Sequence, residues 1–110
     1  MKLVSILLKD EGVNDLQTIR NLERILNPTR LMILKILKEH GEAWFPELKR
    51  DLGVSDGNLA SHLKALESMR FVEVRKQIIQ KKFRTSYVLT NEGLEAVSRL
   101  SRVFGERNEI

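Results

Sequence analysis

Positive charge is concentrated in one short part of the sequence, residues 61–86. The formal net charge of the 110-residue chain is +4, and these 26 residues contribute +5 because they hold seven basic residues and two acidic ones. Residues 1–27 and residues 28–60 are each neutral, and residues 87–110 carry −1. A charge excess confined to one segment is typical of a surface that binds a polyanion. The alternative interpretation is a solvated strand edge that lysines protect from aggregation.

A polar helix face begins just before this basic segment. Leu59, Leu63 and Leu66 recur at helical spacing and predict the buried side of a helix for which Ser55 is the N-cap. Successive residues are about 100° apart around a helix, so the side opposite the leucines can be identified from the sequence. The residues that we assign to this outward face and its first turn are Ser55, Asp56, Gly57, Asn58, Ser61, Lys64 and Ser68.

The side chains on this face suit contact with DNA bases. Small residues let a helix lie deep in a major groove about 12 Å wide, where Asn pairs with adenine and Lys reaches guanine. We therefore assign base reading to Asn58, Ser61 and Lys64. His62 lies at the edge of the apolar stripe and is expected to be a half-buried packing residue. The alternative is that the face is an ordinary polar surface in contact with solvent.

A second set of candidate contacts lies on a predicted β-hairpin. After Arg70 the apolar period changes to two, and β-forming residues return at 87–89. The connection around residues 80–82 contains no Gly, Pro or Asn, which predicts a wide, mobile loop in place of a two-residue turn. Arg84 suits a structural ion pair equally well. The basic residues expected to hold phosphates are Lys76, Lys81, Lys82 and Arg84.

The remaining apolar pattern predicts the helices that must position these two sets. We expect a helix over 14–26, a central helix over 28–40 and a short helix from Pro46 that ends at Gly53. Thr90 is the predicted N-cap of a last helix. A short helix, a glycine turn and a second helix together are the sequence pattern of a helix-turn-helix.

Both ends of the chain carry apolar stripes in addition to this core. Left exposed, they would exceed the few hundred Å² of contiguous apolar surface that is usual for a soluble monomer. A two-fold dimer buries the same patch on each subunit, so we expect a homodimer. The residues assigned to its interface are Leu16, Ile19, Leu22, Leu94, Val97, Leu100 and Phe104.

The composition argues against several other classes of protein. The chain has no cysteine and only two histidines, His40 and His62, so we expect no metal site and no cofactor. No nucleophile with a base and no glycine-rich phosphate loop is present, which argues against an enzyme. The apolar cluster over residues 3–8 is too short to span a membrane and lacks a signal-peptide cleavage site. A cytoplasmic protein is expected.

Several motifs resemble the winged-helix domains of the MarR and ArsR families of prokaryotic repressors. The resemblance implies a mainly α fold with a small β-hairpin wing and extra N- and C-terminal helices. It divides the chain into a dimerisation extension over 1–27, a DNA-binding domain over 28–90 and a C-terminal dimerisation helix over 91–110. The motifs are Pro28-Thr29-Arg30 with Ile33-Leu34, the run over 47–66 that includes Leu52-Gly53-Val54-Ser55, and Arg84-Thr85 with Tyr87-Val88-Leu89-Thr90 and Gly93.

The same resemblance implies a function. It is that of a regulator, most often a repressor, which binds a specific double-stranded DNA site as a homodimer. The recognition helix would lie in the major groove, and the basic wing would contact the backbone and minor groove. The resemblance also leaves room for a small-molecule effector that the sequence does not identify. The alternative is a winged-helix module that binds protein or RNA without reading DNA sequence.

Overall fold

The computed structural model describes Arg24 and residues 27–104, with side chains described as far as Leu100. This part of the chain confirms the predicted winged helix-turn-helix. None of its helices has the length and apolar composition needed to cross a bilayer. The helix predicted over 14–26 lies outside the described residues, apart from Arg24. The elements are α1 (Pro28–His40), β1 (Glu42–Trp44), α2 (Phe45–Leu52), α3 (Asp56–Ser68), β2 (Val72–Ile79), β3 (Lys82–Leu89) and α4 (Asn91–Phe104).

Helix α1 is the centre of the core, as its apolar pattern predicts. It begins where the side-chain Oδ1 of Asn27 accepts the backbone N–H groups of Thr29 and Arg30 at 2.9 and 3.2 Å. It ends at Gly41, whose φ of 83° suits only a residue without a Cβ. The side chains of α1 that are almost fully buried are Ile33, Leu34 and Leu37.

The three strands form an antiparallel sheet in the order β1-β3-β2. Strand β1 is not predicted by the sequence, because three residues are too few to show an alternating pattern. Its pairing with β3 stops where Trp44 lies opposite Ser86. Residues 82–85 of β3 therefore pair with β2 alone, and the outer half of the hairpin is a two-stranded ribbon. We call this ribbon, residues 76–85, the wing.

The tip of the wing is a two-residue turn, so the predicted wide loop is wrong. Ile79 pairs directly with Lys82, and the two residues between them, Gln80 and Lys81, have φ values of 53° and 67°. Two consecutive positive φ values are the signature of a type I′ turn, whose twist matches that of the flanking strands. The turn cannot be recognised from the sequence because neither residue is Gly or Asn. The ladder between eight-residue strands imposes it.

Replacing Gln80 by Asn and Lys81 by Gly is expected to stabilise the protein. Each residue with a longer side chain costs about 1–2 kcal/mol in the left-handed region, and Asn-Gly is the preferred pair for this turn. Asn keeps a Cβ, and the greater freedom of Gly in the unfolded chain offsets part of the gain, so the free energy of unfolding in urea should rise by only about 1 kcal/mol. As a control, Lys76→Gly in the extended part of β2 should lower it by about 0.5–1 kcal/mol. If the double variant has the same urea midpoint as the wild type, the left-handed conformation of Gln80 and Lys81 does not destabilise the protein.

The core lies between the helices and one face of the sheet, and it includes two residues that the sequence assigns to a dimer interface. Val97 and Leu100 of α4 are buried inside the protomer, where α4 packs against α1 and β3. The expectation that the apolar stripe of α4 is left uncovered by the protomer is therefore wrong for both residues. The spacing of apolar residues along a helix shows that one side is covered, but it does not show which element covers it. Leu94 is 45% exposed. Leu16, Ile19, Leu22 and the side chain of Phe104 lie outside the described residues.

Candidate nucleic-acid interface

Helices α2 and α3 form the predicted helix-turn-helix. Gly53 ends α2 with a φ of 66°, in the left-handed conformation expected of it. Ser55 is the N-cap of α3, and its Oγ accepts the backbone N–H of Asn58 at 3.1 Å. The Nζ of Lys49 on α2 lies 3.0 Å from Oδ1 of Asp56, the first residue of α3. Ser55 and Asp56, both predicted to contact DNA, therefore also hold the start of α3 in place.

The orientation of α3 agrees with that calculated from the sequence. Leu59, Leu63 and Leu66 face the core and are at most 2% exposed. Every residue assigned to DNA contact on this helix is exposed. The structure thus confirms which face is presented to solvent. That this face reads DNA bases stays a prediction.

The central side chains of this face are available to a ligand. In the described part of the chain, the side chains of Asn58, Ser61 and Lys64 form no hydrogen bond or ion pair. Asn offers two donors and an acceptor, Ser one donor and an acceptor, and Lys three donors. Ser68, at the end of α3, donates its hydroxyl to the carbonyl oxygen of Ala65 at 2.8 Å. Its donor is therefore already used within the helix.

His62 has a structural role between α1 and α3. The Nε of Arg30 donates to its Nδ1 at 3.0 Å, and the imidazole is half-buried, as expected from its position beside the apolar stripe. Burial, and then the positive charge of Arg30, lower the pKa of His62 below its ordinary value. A neutral imidazole keeps Nδ1 as an acceptor for Arg30. This bond links α3 to α1, the central helix of the core.

The four predicted wing cations are all exposed. Lys82 and Arg84 alternate along β3 and share one face of the ribbon, whereas Lys76 lies opposite Thr85 on the other face. Lys81 occupies the turn. Within the described residues none of these cations forms an ion pair, so the structural pair considered for Arg84 is not present there. Both faces and the tip of the wing therefore carry uncompensated positive charge.

The sequence does not predict that the wing also carries exposed apolar side chains. Ile78, Ile79 and Phe83 lie on its outer half, beyond the helices that cover the inner half of the sheet. They can be recognised only when the turn is placed correctly, because the two-residue turn sets the register that pairs Ile78 with Phe83.

Comparison with known proteins shows the same fold. Residues 29–106 match the model of a family described as the winged helix DNA-binding domain. An uncharacterized protein from Methanocaldococcus jannaschii is 41% identical over 64 residues, which cover 58% of this chain and 70% of that protein.

Two solved structures are similar over most of their length. A transcriptional regulator homologue from Pyrococcus horikoshii OT3 superposes with a TM-score of 0.72 at 26% identity, over 94% of this chain and 91% of that one. A transcriptional regulator of the MarR family from Enterococcus faecalis V583 superposes with a TM-score of 0.73 at 25% identity, over 87% and 88% of the two chains.

Proposed function

Because the chain belongs to the winged helix DNA-binding domain family, we propose that it is a transcriptional repressor that binds a specific double-stranded DNA site as a homodimer. One observation carries the proposal. The unpartnered side chains of Asn58, Ser61 and Lys64 stand on the exposed face of α3, and the chain continues from α3 into a wing whose cations have no carboxylate partner among the described residues. The repressor role follows the resemblance to the MarR and ArsR families.

The exposed face of α3 and the wing would contact different parts of the DNA. Helix α3 would enter the major groove, where Asn58 can bond adenine and Lys64 can bond the acceptors of guanine. The wing would contact the phosphates beside the half-site, which fixes the register of the protein but carries no sequence information itself. The buried leucines of α3 and the Arg30–His62 hydrogen bond would hold α3 in place against the rest of the domain.

A homodimer is proposed because one recognition helix reads only a few base pairs. Two such helices about 34–36 Å apart reach successive major grooves and read an inverted repeat. Val97 and Leu100 lie inside the protomer. The residues left to form the interface are the exposed Leu94, together with Leu16, Ile19, Leu22 and Phe104.

Sedimentation equilibrium tests the dimer. At micromolar concentration the wild type should have twice the protomer mass of 12.7 kDa, and two protomers should bind each duplex that carries an inverted repeat. Leu94→Glu should weaken dimerisation at least about tenfold, because a buried charge without a partner is costly at an interface. Leu100→Glu does not test the interface, because Leu100 is buried in the protomer and a charge there would destabilise the fold itself.

Met32→Glu is the matched control, since Met32 on α1 is exposed to the same 45% as Leu94. This variant should remain dimeric. A wild type that sediments at the protomer mass would contradict the proposed dimer. A dimeric Leu94→Glu protein would place the interface at the N-terminal segment or at Phe104.

A further inference from the structure

The outer half of the wing displays an apolar pair that nothing in the described structure covers. Phe83 is 85% exposed and Ile78 is 68% exposed. They lie directly opposite each other on β3 and β2, so their side chains share one face of the ribbon and are in cross-strand contact distance. Phe83 also borders a cleft with Trp44 and Phe45 but remains the most exposed large apolar residue of the described chain.

The surroundings of this pair indicate what covers it. Lys76 shares this face of the ribbon and Lys81 lies in the turn beside it, whereas Lys82 and Arg84 project from the opposite face. The described part of the chain gives none of the four an ion-pair partner. An apolar patch on a ribbon that carries uncompensated cations at its tip and on both faces complements a ligand with an apolar interior between two rows of anions. The minor groove of duplex DNA has this arrangement, with stacked bases between phosphate backbones.

The shape of the wing restricts how it can enter that groove. The minor groove is about 6 Å wide, whereas the two strands of a ribbon are already about 4.8 Å apart before side chains are added. The ribbon as a whole is therefore too wide, and only a projecting side chain can reach the bases. The tight turn at Gln80 and Lys81 holds Phe83 close to the end of the hairpin, where such a side chain projects farthest.

We propose that Phe83, supported by Ile78, is a wedge that enters the minor groove beside each half-site, separates two stacked base pairs and bends the duplex. The inference rests on the proposed function. It adds recognition of DNA deformability to the recognition of base edges by α3. Pyrimidine–purine steps such as TA unstack easily and A-tracts are stiff. The wedge would therefore select a flexible step at positions where no side chain makes a hydrogen bond to a base.

The test uses the full-length protein and a duplex that carries the inverted repeat enriched from a random pool. One probe has 2-aminopurine at a TA step in the flanking minor groove, and a second has a fluorophore at each end. With the wild type, we expect 2-aminopurine fluorescence to rise severalfold and the ends to approach as for a bend of at least about 20°. With Phe83→Ala, we expect neither change, and Phe83→Leu should restore part of both.

Lys82→Ala is the matched control, because Lys82 is the neighbour of Phe83 on β3 and is also exposed. Removal of this cation should lower the slope of log affinity against log salt and leave the bend unchanged, whereas Phe83→Ala should remove the bend and leave the slope unchanged. Phe83→Ala should also erase the preference for a flanking TA step over an A-tract, which we expect to be about tenfold in affinity for the wild type.

The outcomes separate this inference from the proposed function. Specific binding of the repeat without unstacking or bending overturns the wedge and leaves the proposed function standing. Absence of any sequence preference overturns both. If Phe83→Ala instead converts a dimer to a protomer in sedimentation, the patch is a contact between two copies of the chain and the wedge is overturned.

Discussion

Replacing Lys81, Lys82 and Arg84 together by Ala is expected to weaken binding to every duplex by a similar factor and to flatten its salt dependence. A cation that binds a phosphate releases condensed counterions, so removing one such cation should reduce the slope of log affinity against log salt by about 0.9. Removing all three should reduce it by about 2.7. The three side chains are exposed and without ion-pair partners in the described structure, so the variant should keep its fold.

Fluorescence anisotropy titrations at several salt concentrations measure this slope. The control is Lys35→Ala with Lys38→Ala, which removes positive charge from α1, outside the proposed interface, and should change the slope little. An unchanged slope for the triple variant would remove the wing from the DNA interface.

Asn58→Ala and Lys64→Ala are expected to reduce sequence-specific binding, in contrast to the wing variant, which should weaken binding to every duplex. Each should lower affinity for the preferred site by about 1–3 kcal/mol and leave binding to random-sequence DNA nearly unchanged, because alanine cannot form hydrogen bonds to a base edge. Ser61→Ala should have a smaller effect. The fold should tolerate the first change, since the bond from the Asn58 backbone N–H to Ser55 does not involve the amide side chain.

Competition titrations with specific and random duplexes separate the two affinities. The matched control for Asn58→Ala is Asn91→Ala, which removes the same amide from the exposed first residue of α4. If both α3 variants keep the full preference for the preferred site, then α3 does not read the bases through its exposed face.

The helix boundaries are predictable because local chemistry sets them. Asn27 and Ser55 accept backbone N–H groups at the starts of their helices, and Thr90 does the same for α4, where its Oγ1 accepts from Gly93 at 2.9 Å. Gly53 ends α2 in a left-handed conformation that the residue type itself favours. The outward face of α3 is predictable for a related reason, since its leucine stripe leaves only one side for solvent.

The features that the sequence does not predict depend on contacts between distant parts of the chain. The turn at Gln80 and Lys81 results from the β2–β3 ladder and not from its own residues. Strand β1 exists because Glu42–Trp44 pairs with β3, more than 40 positions away. Val97 is covered inside the protomer because α4 returns to pack beside α1. In each case the decisive partner is nonlocal, so periodicity and capping carry no signal for it.

The central claim, that this winged helix reads a DNA sequence as a dimer, is tested most directly by selecting bound duplexes from a random pool and titrating the enriched site with salt. We expect an inverted repeat whose half-site centres are about 10–10.5 base pairs apart. We also expect a preference over random DNA that persists when salt weakens both affinities. A pool with no enriched sequence, or an affinity that depends on salt alone, would contradict the claim and favour a winged helix that binds protein or RNA.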